Sequence, residues 1–192
     1  MRLAILILSL VAFNLLTNAK TISKSVYINS GEMTAIDGTK FPYKAFNKTS
    51  EFSSTNCIIE LQIGDSLDLL IHNNDTIEHR FTIKGISNTT QTIAVGDSQS
   101  INHAFVTSGV YIYHDPTNMP DYTQIGLGGI IVVRDHDHAS FYWNIKEHQA
   151  NINEAIATAQ SWNRQDYYPS YFTINGKSHP QSASDSLSVI KG

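Results

Sequence analysis

The chain alternates. Leu67, Leu69 and Ile71 share one parity, and Asp68, Leu70 and His72 share the other. On an extended backbone residues two apart point the same way, so this pattern describes a strand with one face turned to a core. His79, Phe81 and Ile83 repeat it. The stretch Cys57 to Asp75 reads as two strands meeting at Gly64-Asp65, a tight-turn pair that predicts a hairpin. Ser23–Ser30, two or three pieces of Thr90–His114, and Gly128–Asp135 supply further strands, and a polar loop is expected from there to about Ser54 after the first of them. Many short strands punctuated by Gly, Asn and Asp turns predict an all-β Greek-key sandwich.

The first residues break this pattern. Arg2 precedes an apolar run from Leu3 to Phe13, and Thr17-Asn18-Ala19 is a small-residue exit. This predicts a signal peptide over 1–19 and an exported protein, periplasmic or secreted. A membrane anchor is the competing reading, but the run is short against the roughly 20 residues of a span. The 192-residue chain has a formal charge of −4, and removing Arg2 makes it one unit more negative. That balance argues against a nucleic-acid partner, which asks for a basic patch, and no membrane contact is expected once the leader is gone. Cys57 is the single cysteine, so no intrachain disulfide forms and the thiol reads as a small buried hydrophobe. Asn47, Asn74 and Asn88 each open an Asn-x-Thr sequon, relevant only where the source glycosylates.

Gly126-Leu127-Gly128-Gly129 is not a nucleotide loop, because it opens a β-branched strand where such a loop opens a helix. After Ser140, Phe141–Ile145 is strand-like. Asn151–Trp162 predicts a helix, with Asn151 as cap and Glu154 three residues on. Tyr167 to Pro180 predicts a strand running into an Asn175-Gly176 turn.

Four pieces in order resemble one family. They are "IIELQIGDSLDLLIHNND" from Ile58, "EHRFTIKG" from Glu78, "GVYIYHDP" with "GLGGIIVV" from Gly109, and "YFTINGKSHP" from Tyr171. Together they resemble the N-terminal cupredoxin (plastocyanin-like) domain of multicopper oxidases and the opening of a later such domain. The resemblance implies a cupredoxin domain over 20–138, a linker with one helix over 139–168, and the start of an incomplete second domain over 169–192. It implies copper as cofactor, oxidoreductase chemistry, and further cupredoxin domains or subunits as partners.

The ligands implied by that family carry over poorly. His79 matches a histidine that binds blue copper in the family. Thr82 and Lys84 stand where trinuclear-site histidines are found. His114 matches the first histidine of the closing run, Asp115 falls on the blue-copper cysteine, and Pro116 on the second histidine. Strand parity puts Thr82, Lys84 and His114 on the face that meets another domain in the family, and His79 with Asp115 in the other compartment. A blue site wants a thiolate, two imidazoles and a weak axial group, and Cys57 lies far upstream of the closing strands. His114 and Met119 have a His-x4-Met spacing, although registration on Gly109 and Tyr111 moves the ligand position to Asn118. His136 and His138 share a side of an extended segment, while His103, His148 and His179 have no partner by spacing.

The candidate metal residues are therefore His79, His114 and Asp115. Asp115 precedes Pro116, which favours an extended backbone; its carboxylate is expected to accept from loop N–H groups or from His79. The alternative is a His79–Asp115 site for a metal such as zinc, which takes both ligand types. Three functions stay open: the scaffold domain of a multicopper-oxidase-like protein, with copper held elsewhere; a copper- or zinc-binding or partner-docking module without turnover; and a sandwich kept for docking alone.

Overall fold

The computed structural model describes residues 19–86, 91–117, 119–135, 141–180 and 182. The leader through residue 18, Asn88, Asn118, His136, His138 and the last ten residues lie outside them. Among the described residues, eleven strands form three sheets. β1 (Thr21–Thr34), β2 (Lys40–Asn47), β4 (Ser66–Asn73) and β7 (Ser98–Ala104) make a four-stranded sheet in the order β2-β1-β4-β7. β3 (Ile58–Gln62), β5 (His79–Ile83), β6 (Gln91–Ile93), β8 (Gly109–His114) and β9 (Gly128–Arg134) make a five-stranded sheet in the order β3-β9-β8-β5-β6. β10 (Ile145–His148) and β11 (Tyr171–Ile174) pair antiparallel beside them. The expected all-β cupredoxin-like sandwich is the fold observed.

The parity of each strand decides its face. Leu67, Leu69 and Ile71 of β4, and Phe81 and Ile83 of β5, are all buried in one core cluster with Val26, Ile28, Ile59, Leu61, Tyr113, Ile131 and Val133. Burying each large side chain stabilises by about 1.5–3 kcal/mol. Tyr113 sits at the centre. Its ring stacks on Phe81 at 5.3 Å and meets Phe46 edge-on at 5.2 Å, and its hydroxyl donates to the Cys57 carbonyl. Tyr113 faces Gly129 across the β8–β9 ladder, and a Cβ at Gly129 would stand 2.3 Å from the tyrosine ring. The glycine cluster is thus a packing requirement. Gly126 belongs to the same requirement: its φ is +124° and a Cβ would lie 2.2 Å from the Lys44 carbonyl oxygen.

Four local expectations change. The polar loop before Ser54 contains β2, "KFPYKAFN", which alternates from Lys40 to Ala45 and is buried on both faces from Tyr43 on, Lys44 and Asn47 included. Gly64-Asp65 joins no hairpin: β3 belongs to the five-stranded sheet and β4 to the four-stranded one, so the turn carries the chain from one layer to the other. Gly64 N–H and Phe105 N–H donate to Phe105 and Asp65 carbonyls, tying that corner to the end of β7. The strand expected at Phe141–Ile145 begins only at Ile145. The helix is α2 (Ala150–Ala157), shorter than predicted and capped at Gln149, not Asn151. It buries Ile152 and Ile156 against Ile125, and Asn153 donates to the Pro42 carbonyl at 3.0 Å. The other short helix, α1 (Asp121–Gln124), lies between β8 and β9.

β11 runs into the expected turn, with Asn175 at φ 52° and Gly176 at φ 76°. Its end docks on the four-stranded sheet: Phe41 stacks on Tyr171 at 5.5 Å and Ser178 donates to the Thr34 carbonyl. Asn47, the first sequon asparagine, is buried, and its amide donates to the Ser53 and Thr55 carbonyls. That nitrogen is not accessible to a glycan in the folded chain. Among the described residues no helix is long and apolar enough to cross a membrane.

Candidate functional site: a buried charge relay

Four elements bring four ionisable side chains together inside the molecule. His79 opens β5 and is fully buried. Asp115 follows β8 and is equally buried. Asp75 stands in the turn after β4, and Lys44 comes from β2. His79 Nδ1 lies 2.7 Å from Asp115 Oδ2, and Nε2 lies 2.7 Å from Asp75 Oδ2. Lys44 Nζ donates to the same Asp75 oxygen and, at 2.9 Å, to Ser30 Oγ. The result is a continuous relay, Asp115–His79–Asp75–Lys44–Ser30.

Local chemistry sets each member. Asn73 accepts from the Asp75 N–H and donates to the Ile77 and Ile93 carbonyls, which shapes the turn that aims Asp75 inward. The second Asp75 oxygen accepts from Thr76 N–H at 2.8 Å. Asp115 Oδ1 accepts from Thr117 N–H at 2.7 Å, the loop contact expected from the sequence. The Lys44 backbone N–H donates to the Ile125 carbonyl. The Tyr122 ring meets His79 edge-on at 5.4 Å.

The charges support one another. Burial works against an imidazolium at His79, but the bonds to Asp115 and Asp75 outweigh it and hold its pKa above the ordinary value. Burial likewise works against the Asp75 carboxylate, and His79 and Lys44 reverse that, keeping its pKa far below the usual range. Opposite charges at hydrogen-bond distance in a dry setting shift protonation in this way.

The outer face of the same strands is different. Thr82 and His114 are partners across β5 and β8, on the side away from the relay, as parity predicted. His114 is half-buried, and its Nδ1 is enclosed without a hydrogen-bond partner. Burial lowers its pKa, with Asp115 opposing and Lys84 adding to the shift. Val110 and Ile112 lie on that face too, 52% and 46% exposed. Of the three candidate metal residues, the structure therefore unites His79 with Asp115 and sets His114 apart.

These residues do not fit copper. Both His79 nitrogens face carboxylates, so neither lone pair is open to a metal. Cys57 offers no thiolate there: it is buried with its backbone N–H on the Phe46 carbonyl, and burial raises its pKa. Among the described residues no group of three or more His, Cys, Asp or Glu is placed to hold a metal ion.

Sequence reasoning passed over Lys44 and Asp75. Asp75 stands four residues before His79, a spacing visible in the sequence, but only the turn gives it meaning. Lys44 lay in a segment read as loop. His148, which has no partner by spacing, is wholly buried with its ring against Phe41 and Tyr43; burial first, then Lys146, pushes its pKa down to about 4. His103 packs edge-on against Phe105 at 4.9 Å.

With sheet order and site in view, likenesses to known copper proteins fall into place. The chain superposes on the multicopper oxidase mgLAC with a TM-score of 0.64 and 18% identity, over 84% of this chain and 55% of that one. A copper nitrite reductase from Nitrosomonas europaea gives 0.64 and 16% identity, over 81% and 56%. A blue copper oxidase from Nitrosomonas europaea gives 0.65 and 17% identity, over 84% and 55%. The chain has the cupredoxin-like fold of these copper proteins and spans little more than half the length of each. No protein-family model matches the chain and no curated protein sequence matches it.

Proposed function

We propose that this chain is an exported cupredoxin domain of a multicopper-oxidase-like protein, serving as scaffold while copper and electron transfer reside in other domains or subunits. The observation that carries this is the relay: the blue-copper position is filled by hydrogen-bonded side chains whose lone pairs are already used. The fold shared with copper oxidoreductases supports the affiliation, and the leader-like first nineteen residues support export. The exposed Val110 and Ile112 beside Thr82, Lys84 and His114 support docking of another domain on the outer face. His114 supports a second reading, a module that lends one imidazole to a metal held jointly with a partner, because its half-buried ring stands on the outer face beside exposed Val110 and Ile112.

The test is direct. Cu(II) is added to the purified mature chain, and the visible spectrum and oxygen uptake with phenol, diamine or ferrous iron are recorded. The expected result is no thiolate-to-copper charge-transfer band and no sustained uptake. An intense band, or uptake abolished by His114→Ala, overturns the scaffold reading.

A further inference from the structure

We propose that a proton takes the place of a metal ion at the centre of this sandwich. His79 is kept as an imidazolium between Asp115 and Asp75, and this cation, with Lys44, clasps the closing loop, the Asn73–Ile77 turn and β2 together. The inference deepens the scaffold reading and rests on it.

The argument is a count of hydrogens. An ionised carboxylate only accepts, and a neutral imidazole carries one N–H. His79 makes two contacts of 2.7 Å to carboxylate oxygens, one from each ring nitrogen. Two such contacts need two protons. A protonated Asp75 is excluded by its other donors, because Oδ2 takes the Lys44 ammonium and Oδ1 takes Thr76 N–H. Asp115 already accepts from Thr117 N–H, and a carboxyl is less basic than imidazole by about 2 units. The second proton belongs on the ring.

Charge balance agrees. Lys44 and His79 carry two positive charges, Asp75 and Asp115 two negative ones, and the cluster is neutral. Losing the ring proton leaves a buried negative charge uncompensated, which is strongly unfavourable. Among the described residues, the surroundings of His79 supply no cation beyond Lys44. From the closing loop come Asp115 and, on the far side of the strand, half-buried His114. The turn contributes Asp75, β2 contributes Lys44, and α1 contributes the Tyr122 ring. Across the ladder β6 presents Ile93. The raised pKa of His79 has the same sign. A group raised on folding adds stability that is complete below its unfolded value, about 6.5 for histidine, and is lost as pH rises through the folded value. The clasp therefore loosens on the alkaline side. A metal reaches His79 only by displacing these protons.

Two measurements on the mature chain test this. The first is a ring-nitrogen correlation spectrum of the 15N-labelled protein in mildly acid buffer. It is expected to show two slowly exchanging N–H signals from one buried ring, both absent in His79→Gln. The second is a series of thermal melts across pH, with and without Cu(II) or Zn(II), beside Asp115→Asn. Wild type is expected to lose stability on the alkaline side, and in Asp115→Asn that loss is expected to move to lower pH. Metal at mildly acid pH is expected to leave the wild-type midpoint unchanged. One N–H signal from the ring overturns the proposal, as does a metal-induced rise in midpoint that removes both signals. If Asp115→Asn does not fold, the wild-type spectrum decides alone. A single N–H together with a silent copper spectrum and no oxygen uptake would defeat the clasp and leave the scaffold reading standing.

Discussion

The two faces of β5 and β8 carry the same kinds of residue and use them in opposite ways. Inward, His79 is enclosed, both nitrogens are bonded, and its carboxylate partners are bonded in turn. Outward, His114 sits one residue from Asp115 with an enclosed nitrogen that has no hydrogen-bond partner among the described residues, near exposed Val110 and Ile112. A buried polar group costs free energy unless it is hydrogen-bonded, and the members of the relay bond one another. On the outer face, Val110 and Ile112 leave apolar area exposed to solvent.

The largest effect is expected from breaking the inner face. His79→Leu leaves Asp115 buried without its cation and should cost about 3–5 kcal/mol, the usual cost of removing one partner from a buried charged pair. Urea unfolding measures it. A cost near zero would show that the relay does not hold the sandwich. Tyr113→Phe is the intermediate case. It removes the hydroxyl from the Cys57 carbonyl but keeps the ring between Phe46 and Phe81, so about 1 kcal/mol should be lost. His114→Ala should change stability least, by about 0.5 kcal/mol, because removing the half-buried ring leaves no bonded partner unpaired among the described residues. A cost there as large as that of Tyr113→Phe would erase the contrast between the faces.

Much of this contrast was legible before any coordinates. Period-two alternation sorted Leu67, Leu69 and Ile71 from their neighbours, and parity taken together with the family resemblance put His79 with Asp115 and Thr82 with His114. The reason is geometric: the pleat turns successive side chains to opposite sides, so facing is a local property of a strand. Other features had no local signature. β2 buries Lys44 and Asn47 beside its apolar residues, so its polar residues do not mark a solvent face. The corner at Gly64-Asp65 looks the same whether the next strand pairs back or crosses to the other layer.

The sequence by itself determined the alternating strands β4 and β5 and their inward residues. Only the tertiary structure decided what surrounds His79 and Asp115. Lys44 reaches Asp75 across 31 residues of chain, and Asp115 reaches His79 across 36. Such contacts depend on how two sheets are ordered and stacked, which alternation within one strand does not encode. Their strength depends on burial as well: the same four side chains on a surface would interact weakly through water, and enclosed together they must compensate one another.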